Sequence, residues 1–368
     1  MTVPIMHQST QQISKLLGLE VLRFISAFSV LFWHYQHFFY NKNGSIDLFT
    51  KEQQPLYSLF SVFYNYGYWG VQVFWCISGF IFFWKYREII SSNVITYKKF
   101  FVLRFSRLYP LHLFTLILVL ALQAIYFDKT DYFFVYENND LPHFIYQLFL
   151  ASNWGFEKGY SFNGPIWSIS VEVLAYCIFF IILQKISKSF FVNIGILLLC
   201  LAAIYFKIDG AIFNCLAYFY IGGLSAIAFR YIQSTKYTRY SSYLLLFIIF
   251  AYPTFVYFTG IYQQKYIIQL FSMSYIPIIV CYGAHPFSAP LVLQKMIVVA
   301  GNMTYSSYLI HFPLQLAIAL YFLNAERQIP YYSTLFFIGF FFTTFVLSHY
   351  IYRFFELPAQ KYLRDKFT

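Results

Sequence analysis

Ten apolar segments of roughly 20 residues divide this sequence, and they constrain its fold more than any other feature. A helix of about 20 apolar residues crosses the hydrocarbon core of a bilayer. The pattern therefore predicts an all-α integral membrane protein with about ten transmembrane helices in one bundle. Only 11% of the residues are charged, which excludes an ordinary soluble globule. The predicted segments are 16–38, 67–84, 108–127, 164–184, 190–206, 210–229, 242–259, 266–283, 304–323 and 332–352.

The charges between these segments predict how the bundle is oriented. Over alternate connections, the side that holds both termini carries 18 basic and 3 acidic residues, whereas the other side carries 7 basic and 9 acidic residues. Because cytoplasmic loops are enriched in Lys and Arg, both termini are predicted to be cytoplasmic. The net charge of +11 then reflects topology, and no nucleic-acid partner is expected.

The connections define one predicted domain, 1–368, with short cytoplasmic tails at 1–15 and 354–368. The longest connection, 128–163, is acidic and faces outward. Its apolar middle, 141–153, is interpreted as a re-entrant or interfacial segment, since another span there would invert the charge alternation downstream. Loops of this length often carry function.

Ionisable groups inside predicted spans are costly and therefore mark candidate functional sites. Arg23 and His34 are eleven residues apart in the first span, which places them about three helical turns apart on nearly the same face. Arg23 lies toward the cytoplasm and His34 toward the outside. The alternative is a snorkelling arginine and a structural core histidine.

Glu172 lies about two turns into the fourth span from its outer end. A buried carboxylate needs a cation or hydrogen-bond donors. His34 is expected at a similar depth, so a His34–Glu172 pair would satisfy both groups and raise the basicity of the imidazole. The alternative is a structural polar clamp between helices.

Arg104 and Arg107 are three residues apart at the cytoplasmic entry of the third span, on one helix face. That geometry suits bidentate contacts to phosphate, although such arginines also serve as orientation signals or lipid head-group contacts. In the ninth span, Tyr308 and His311 are likewise three residues apart, and His311 is expected at the depth of Arg23. The remaining histidines are interpreted as interfacial or packing residues.

Taken in order, these motifs resemble acyltransferase family 3, whose members are membrane-bound O-acyltransferases. The resemblance runs from about 17 to 363. The second-span motif departs slightly, because Trp75 stands where the family usually has Phe. The matching motifs are Leu22-Arg23-Phe24 with His34, Phe74 to Phe80, Arg104-x-x-Arg107-x-x-Pro110, Trp167-Ser168 with Glu172, Tyr305 to Pro313, and Tyr352 to Pro358.

The resemblance implies transfer of an acetyl group from acetyl-CoA to a sugar hydroxyl of a surface polysaccharide or lipopolysaccharide O-antigen, at the bacterial inner membrane. It implies that Arg104 and Arg107 hold the coenzyme phosphates, helped by Arg23, His311 and Tyr308. His34, oriented by Glu172, would be the general base or would carry the acyl group. No metal is expected. The acceptor would be a glycan or a lipid-linked glycan.

Two other function classes would also place polar groups inside spans. A proton-coupled transporter or flippase of a glycan intermediate should show inverted-repeat halves, and none is evident between 1–180 and 190–368. An assembly subunit of an export complex would tolerate substitution of His34, Glu172 and Arg104. The identity of the acceptor, and an acyl donor longer than acetyl, stay open.

Overall fold

The computed structural model describes residues 16–40, 50–208, 210–261 and 264–368, so the predicted tail 1–15 lies outside the described residues. The described residues fold as helices without strands. The α-helices are α1 (Leu17–His34), α2 (Tyr57–Tyr66), α3 (Gly70–Lys85), α4 (Arg87–Ser91), α5 (Tyr97–Thr130), α6 (Leu141–Leu148), α7 (Trp167–Ile181), α8 (Phe190–Tyr205), α9 (Ala211–Gln233), α10 (Thr238–Phe258), α11 (Lys265–Ala284), α12 (Leu291–Asn302), α13 (Thr304–Asn324), α14 (Thr334–Ile351) and α15 (Leu357–Phe367).

Nine helical segments of the described chain are long and apolar enough to cross a membrane, and they coincide with nine of the ten predicted spans. The remaining predicted span, 190–206, is α8, an apolar helix of 16 residues. At 1.5 Å per residue, α8 is roughly 24 Å long, which is somewhat shorter than a typical hydrocarbon core. The all-α membrane fold is confirmed.

The direction of neighbouring helices shows that α8 is the tenth crossing. Helices α3 and α7 run parallel, because Trp75 meets Ser168 and Ser78 meets Glu172. Helices α3 and α9 are also parallel: Gly222 lies against Cys76, and Arg230 bonds to Trp84. Helices α7 and α9 therefore run in the same direction. The chain must return across the bundle between the end of α7 and the start of α9, and α8 makes that crossing.

Helices α3 and α9 form the tightest contact of the bundle. A Cβ atom at Gly79 would overlap the carbonyl of Phe219, and one at Gly222 would overlap the carbonyl of Cys76. The two backbones therefore touch directly, in the manner of small-residue packing in membranes. This contact fixes α3, which carries one wall of the polar cavity described below.

The long connection, 128–163, folds back into the bundle without spanning it. After α5 ends at Thr130, the connection contains the α-helix α6, which has eight residues. The Nε2 atom of His112, within α5, lies 2.7 Å from the carbonyl oxygen of Gln147, and the indole of Trp154 donates to the carbonyl of Ser170. The interpretation of 141–153 as a non-spanning segment is confirmed, and its contacts reach the interior faces of α5 and α7.

Asp140 caps the N-terminus of α6 through its side chain, which accepts from the backbone N–H of His143 at 3.0 Å. That bond, together with one from the His143 ring, lowers the pKa of Asp140 from its ordinary value. The carboxylate therefore stays ionised at neutral pH. Its negative charge stabilises α6, because it lies at the positive end of the helix dipole.

Several elements differ from the sequence-based expectation, among them α2 and α4, which flank the predicted second span and were not predicted. Helix α5 begins at Tyr97, about three turns before the predicted span, and Pro110 lies within it. Helix α12 was not predicted. The predicted tail 354–368 is mostly helix α15, which packs on α5 through a bond from Arg364 to Ser106. Arg107, next to Ser106 on α5, lines a common cavity with Arg23 of α1. The start of α1 and helix α15 therefore lie at one end of the bundle, which is called the inner end below.

Candidate active site

A polar cavity of about 120 Å³ lies between α1, α3, α5, α7 and α13. Three arginines, Arg23, Arg104 and Arg107, line it together with a single carboxylate, Glu172. We call it the arginine cavity. Cations within membrane spans are costly unless they are paired or face a wet interior. Three guanidinium groups around one cavity therefore indicate a site for an anion.

Arg23 is held in place at the edge of this cavity. Its Nη1 atom lies 2.9 Å from Oε2 of Glu20, one turn earlier on α1. Its Nη2 atom donates to Oγ1 of Thr304, at the start of α13, over 3.3 Å. Because both bonds keep the guanidinium inside the bundle, the alternative of a snorkelling Arg23 does not apply.

Arg104 is fixed by aromatic rings and retains capacity for an anion. Its guanidinium carbon lies 4.6 Å from the ring centre of Phe82 and 4.7 Å from that of Tyr86, whose hydroxyl accepts a bond from Nη2. Its Nε atom is buried and has no partner among the described residues. Arg107, one turn further along α5, lines the same cavity.

Neither Arg104 nor Arg107 makes an ion pair within the described part of the chain, where the arginine and lysine side chains in ion pairs are Arg23, Arg87 and Lys188. Two guanidinium groups without carboxylate partners, on one face of one helix, match the fork geometry that binds phosphate. The structure thus brings Arg104 and Arg107 together as the spacing predicted.

Glu172 faces the arginine cavity and not a histidine. Its Oε1 atom accepts bonds from the hydroxyl of Ser78, on α3, and from the hydroxyl of Tyr176, one turn along α7, at 2.5 Å for the tyrosine. These two donors satisfy a carboxylate whose negative charge partly balances the surrounding arginines.

The predicted His34–Glu172 pair is therefore wrong as a contact. His34 is bonded to His311, with 2.8 Å between Nδ1 of His34 and Nε2 of His311. The rings stack 5.0 Å apart. The error has a geometric cause: His34 and Glu172 were placed at one depth from the ends of two separate segments, whereas α7 carries Glu172 at the level of the arginines.

The hydrogen bonds around the His34–His311 pair assign a consistent tautomer to each neutral ring. Nδ1 of His311 lies 3.3 Å from the carbonyl oxygen of Ser307, which can only accept. Nδ1 of His311 therefore carries the proton, and its Nε2 accepts. The proton between the rings then belongs to Nδ1 of His34. Consequently the Nε2 atom of His34, which has no hydrogen-bond partner among the described residues, carries an available lone pair.

His311 also lies at a different depth from the one predicted. Thr304 is the α13 residue that meets Arg23, and His311 is two turns further outward, roughly 10 Å along the helix. The expectation that His311 lies at the depth of Arg23 is wrong. The predicted segment begins at the same residue as α13, so the error lies in the axial offset between α1 and α13, on which segment boundaries carry no information.

His37 belongs to the same network, although sequence reasoning placed it among the packing residues. Its Nδ1 atom lies 3.0 Å from Oε1 of Gln315, whose Nε2 donates to the carbonyl of His34 at 2.8 Å. Its Nε2 atom lies 3.4 Å from the hydroxyl of Tyr136, in the 128–163 connection. The network therefore links His34 to the outward connection.

A layer of hydrogen bonds separates the arginine cavity from the histidines. The hydroxyl of Tyr308 lies 2.8 Å from Oγ of Ser168 and 3.0 Å from the carbonyl of Pro165. Tyr308 lines the arginine cavity, and its ring is 6.0 Å from that of His311. Tyr308 thus lies between the two predicted centres of chemistry.

A family model described as an acyltransferase domain matches residues 16–353, nearly the whole chain. The chain belongs to acyltransferase family 3. Neither a curated protein nor a solved structure matches it in the other two comparisons. The resemblance drawn from the sequence motifs is confirmed, and the chain is a multi-pass membrane acyltransferase.

Within this acyltransferase, sequence reasoning missed His37, Gln315 and Ser78 as members of the site. A signal for Gln315 was present: Thr304, Tyr308, His311 and Gln315 are spaced by four, three and four residues, which puts them on one face of α13. His37 follows His34 by three residues in a 3-10 turn, and its role depends on contacts with α13.

Proposed function

We propose that the chain transfers an acetyl group from cytoplasmic acetyl-CoA to a sugar hydroxyl of a bacterial surface polysaccharide or lipopolysaccharide O-antigen, in the inner membrane. The observation that carries the proposal is the stacking of two sites along α1 and α13. An anion-binding arginine cavity lies toward the inner end, and a histidine with a free Nε2 lies outward of it.

The arginine cavity supports coenzyme A as the donor. Coenzyme A carries several phosphate charges, and Arg104 and Arg107 offer guanidinium groups without carboxylate partners. Arg23, eleven residues before His34, lies roughly 16 Å from it along α1. The flexible pantetheine arm would cover that separation and carry the thioester past Tyr308 toward His34.

His34 would supply the base in the transfer step. Its Nε2 takes the proton from the acceptor hydroxyl, and the alkoxide oxygen forms a bond to the thioester carbonyl carbon. The carbon–sulfur bond then breaks, and the departing thiolate takes the proton back from Nε2. Nδ1–H of His34 donates to His311 throughout, which stabilises the transient imidazolium.

The same lone pair can instead attack the thioester carbonyl and carry the acetyl group as an acyl-imidazole. The thiolate leaves in that first step. In the second step the acceptor hydroxyl attacks the acyl carbon, the bond between that carbon and Nε2 breaks, and the hydroxyl proton passes to Nε2 and from there to the thiolate. Both routes need the Nδ1–H tautomer of His34, so the hydrogen bond to His311 serves either one. Glu172, held by Ser78 and Tyr176, balances charge in the arginine cavity in both.

The outward connection, 128–163, would bind the acceptor. Tyr136 reaches His37 from this connection, so the connection lies next to the histidines. Phe156 and Tyr160 are exposed on this connection, and ligand sites combine such aromatic side chains with a few polar groups that fix the orientation of the ligand. A lipid-linked glycan would present its sugar from the outer leaflet.

The test compares surface glycan from cells with the wild-type gene, the deletion, and His34→Gln. Mass spectrometry should show the mass of one acetyl group per modified sugar with the wild type and with the control variant below, but not with the deletion or His34→Gln. His349→Gln is the matched control, since His349 lies on α14, is not among the residues that line the arginine cavity, and has a ring contact with Tyr350. Acetylated glycan in the His34→Gln strain at the wild-type level would contradict the proposal.

Donor use is tested separately with purified protein in liposomes. Radiolabelled acetyl-CoA should be consumed only when an acceptor glycan extract is present, and label should appear in an O-ester that mild base removes. Consumption of another acyl-CoA in preference to acetyl-CoA would change the donor but keep the enzyme class. Transport of glycan in vesicles without acetyl-CoA would instead indicate a transporter.

A further inference from the structure

A second cavity, of about 300 Å³, lies between α3 and α9 at the inner end. We call it the rim cavity. It is distinct from the arginine cavity, because Phe82 lines the arginine cavity whereas its neighbour Phe83 lines the rim cavity. The walls are mostly apolar, and Arg87 and Arg230 supply the charge. No carboxylate is among its lining residues.

Arg230 is presented to this cavity by an aromatic ring. Its guanidinium carbon lies 4.8 Å from the ring centre of Trp84, and its Nη2 atom donates to the Trp84 carbonyl at 2.6 Å. Within the described chain it has no ion-pair partner. A stacked guanidinium is pre-organised, so it loses little entropy when it binds an anion.

Arg87, on the other side of the cavity, is held in place but keeps one free donor. Its Nη1 atom pairs with Glu88 at 2.7 Å, and its Nη2 atom donates to the carbonyl of Lys188 at 2.7 Å. Its Nε atom is buried without a partner among the described residues. Glu88 also pairs with the Lys188 side chain, so this cluster with Arg230 contains three cations and one carboxylate.

We propose that the rim cavity binds an anionic phospholipid of the cytoplasmic leaflet. The phosphate would lie between Arg87 and Arg230, and an acyl chain would follow the apolar wall formed by Phe83, Ala226 and Ile227. The inner end is the side on which the basic residues are concentrated, where anionic head groups are found. A free phosphate ion would leave the apolar wall exposed. The proposal does not depend on the proposed acyltransfer.

Native mass spectrometry of the full-length protein in detergent tests the proposal, with phosphatidylglycerol and phosphatidylcholine of the same acyl chains as probes. The wild type should retain phosphatidylglycerol in preference to phosphatidylcholine. Arg230→Gln should bind phosphatidylglycerol about tenfold more weakly. Arg239→Gln, with the same charge change on the exposed inner part of α10, is the matched control and should bind like the wild type.

Two further measurements test the proposal even if the Arg230→Gln variant folds poorly: lipid binding by a second variant, and competition by coenzyme A. Ile227→Trp keeps every charge but fills the apolar wall, so it should also weaken phosphatidylglycerol binding. Equal retention of both lipids by the wild type, or unchanged binding by both variants, would overturn the proposal. Competition of coenzyme A with phosphatidylglycerol, with a raised KM for acetyl-CoA in Arg230→Gln, would also overturn it and assign the rim cavity to the coenzyme.

Discussion

Replacing His311 with Phe should lower kcat for acetyl transfer and leave KM for acetyl-CoA close to the wild-type value. His311 is fully buried, and its Nε2 atom is the acceptor for Nδ1–H of His34. Phe fills a similar space but accepts no hydrogen bond. His34 would then lose the bond that keeps its proton on Nδ1, and the tautomer with a free Nε2 would no longer be favoured.

The size of the effect follows from that one bond. Leaving a buried donor unsatisfied costs about 1–3 kcal/mol, and each 1.4 kcal/mol corresponds to about tenfold in rate. We therefore expect kcat to fall by about 5- to 150-fold. His311→Gln retains an acceptor oxygen on a flexible side chain, and it should recover part of the lost rate.

The assay is acetyl transfer by purified protein in liposomes, with kcat and KM for acetyl-CoA measured at saturating acceptor. Unchanged thermal unfolding and a monodisperse elution profile show that a variant is folded, and His349→Phe controls for loss of a histidine elsewhere in the bundle. A raised KM with unchanged kcat would refute the positioning role. It would restore the sequence-based expectation that His311 binds the coenzyme.

Three other variants test other parts of the structure. Arg107→Gln should raise KM for acetyl-CoA about tenfold or more, because it removes a charge-assisted bond to phosphate, whereas Arg239→Gln should not. Glu172→Gln should keep most of the wild-type kcat, since the Gln oxygen can still accept from Ser78 and Tyr176; a loss as large as that of His34→Gln would instead support a catalytic carboxylate. Gly79→Ala should lower Tm in detergent, because its Cβ overlaps a backbone carbonyl, whereas Gly195→Ala, with open space around it, should not.

Periodicity within one helix predicted the geometry of this site correctly. Arg23 and His34 lie on one side of α1, since both meet α13, through Thr304 and His311 respectively. Arg104 and Arg107 line one cavity, as a spacing of three residues requires. These relations are set by 3.6 residues per turn, so they can be read from the sequence alone.

Relations between helices were the part that the sequence did not determine. Whether His34 meets Glu172 or His311 depends on the axial offset between α1, α7 and α13, and helical periodicity contains no information on that offset. The offset of α7 depends on the 3-10 turn Gly164–Ile166 that precedes it. Its hydrogen-bonded contact with α3 places Glu172 opposite Ser78.

Helix α13 explains how these offsets are fixed. Most of its residues are buried, yet one face carries Thr304, Tyr308, His311 and Gln315. In a bilayer each of these polar groups costs free energy unless it has a partner. Each has one outside α13: Arg23 and His34 on α1, Ser168 on α7, and His37 in the 3-10 turn after α1.

A shift of α1 or α7 by one turn along α13 would leave several of these groups unpaired at once. The polar face therefore selects a single register for the surrounding helices. The register that satisfies it places the guanidinium groups on the inner side of Tyr308 and the free Nε2 of His34 on the outer side. The separation of donor site from transfer site thus follows from the hydrogen-bonding requirements of one buried helix.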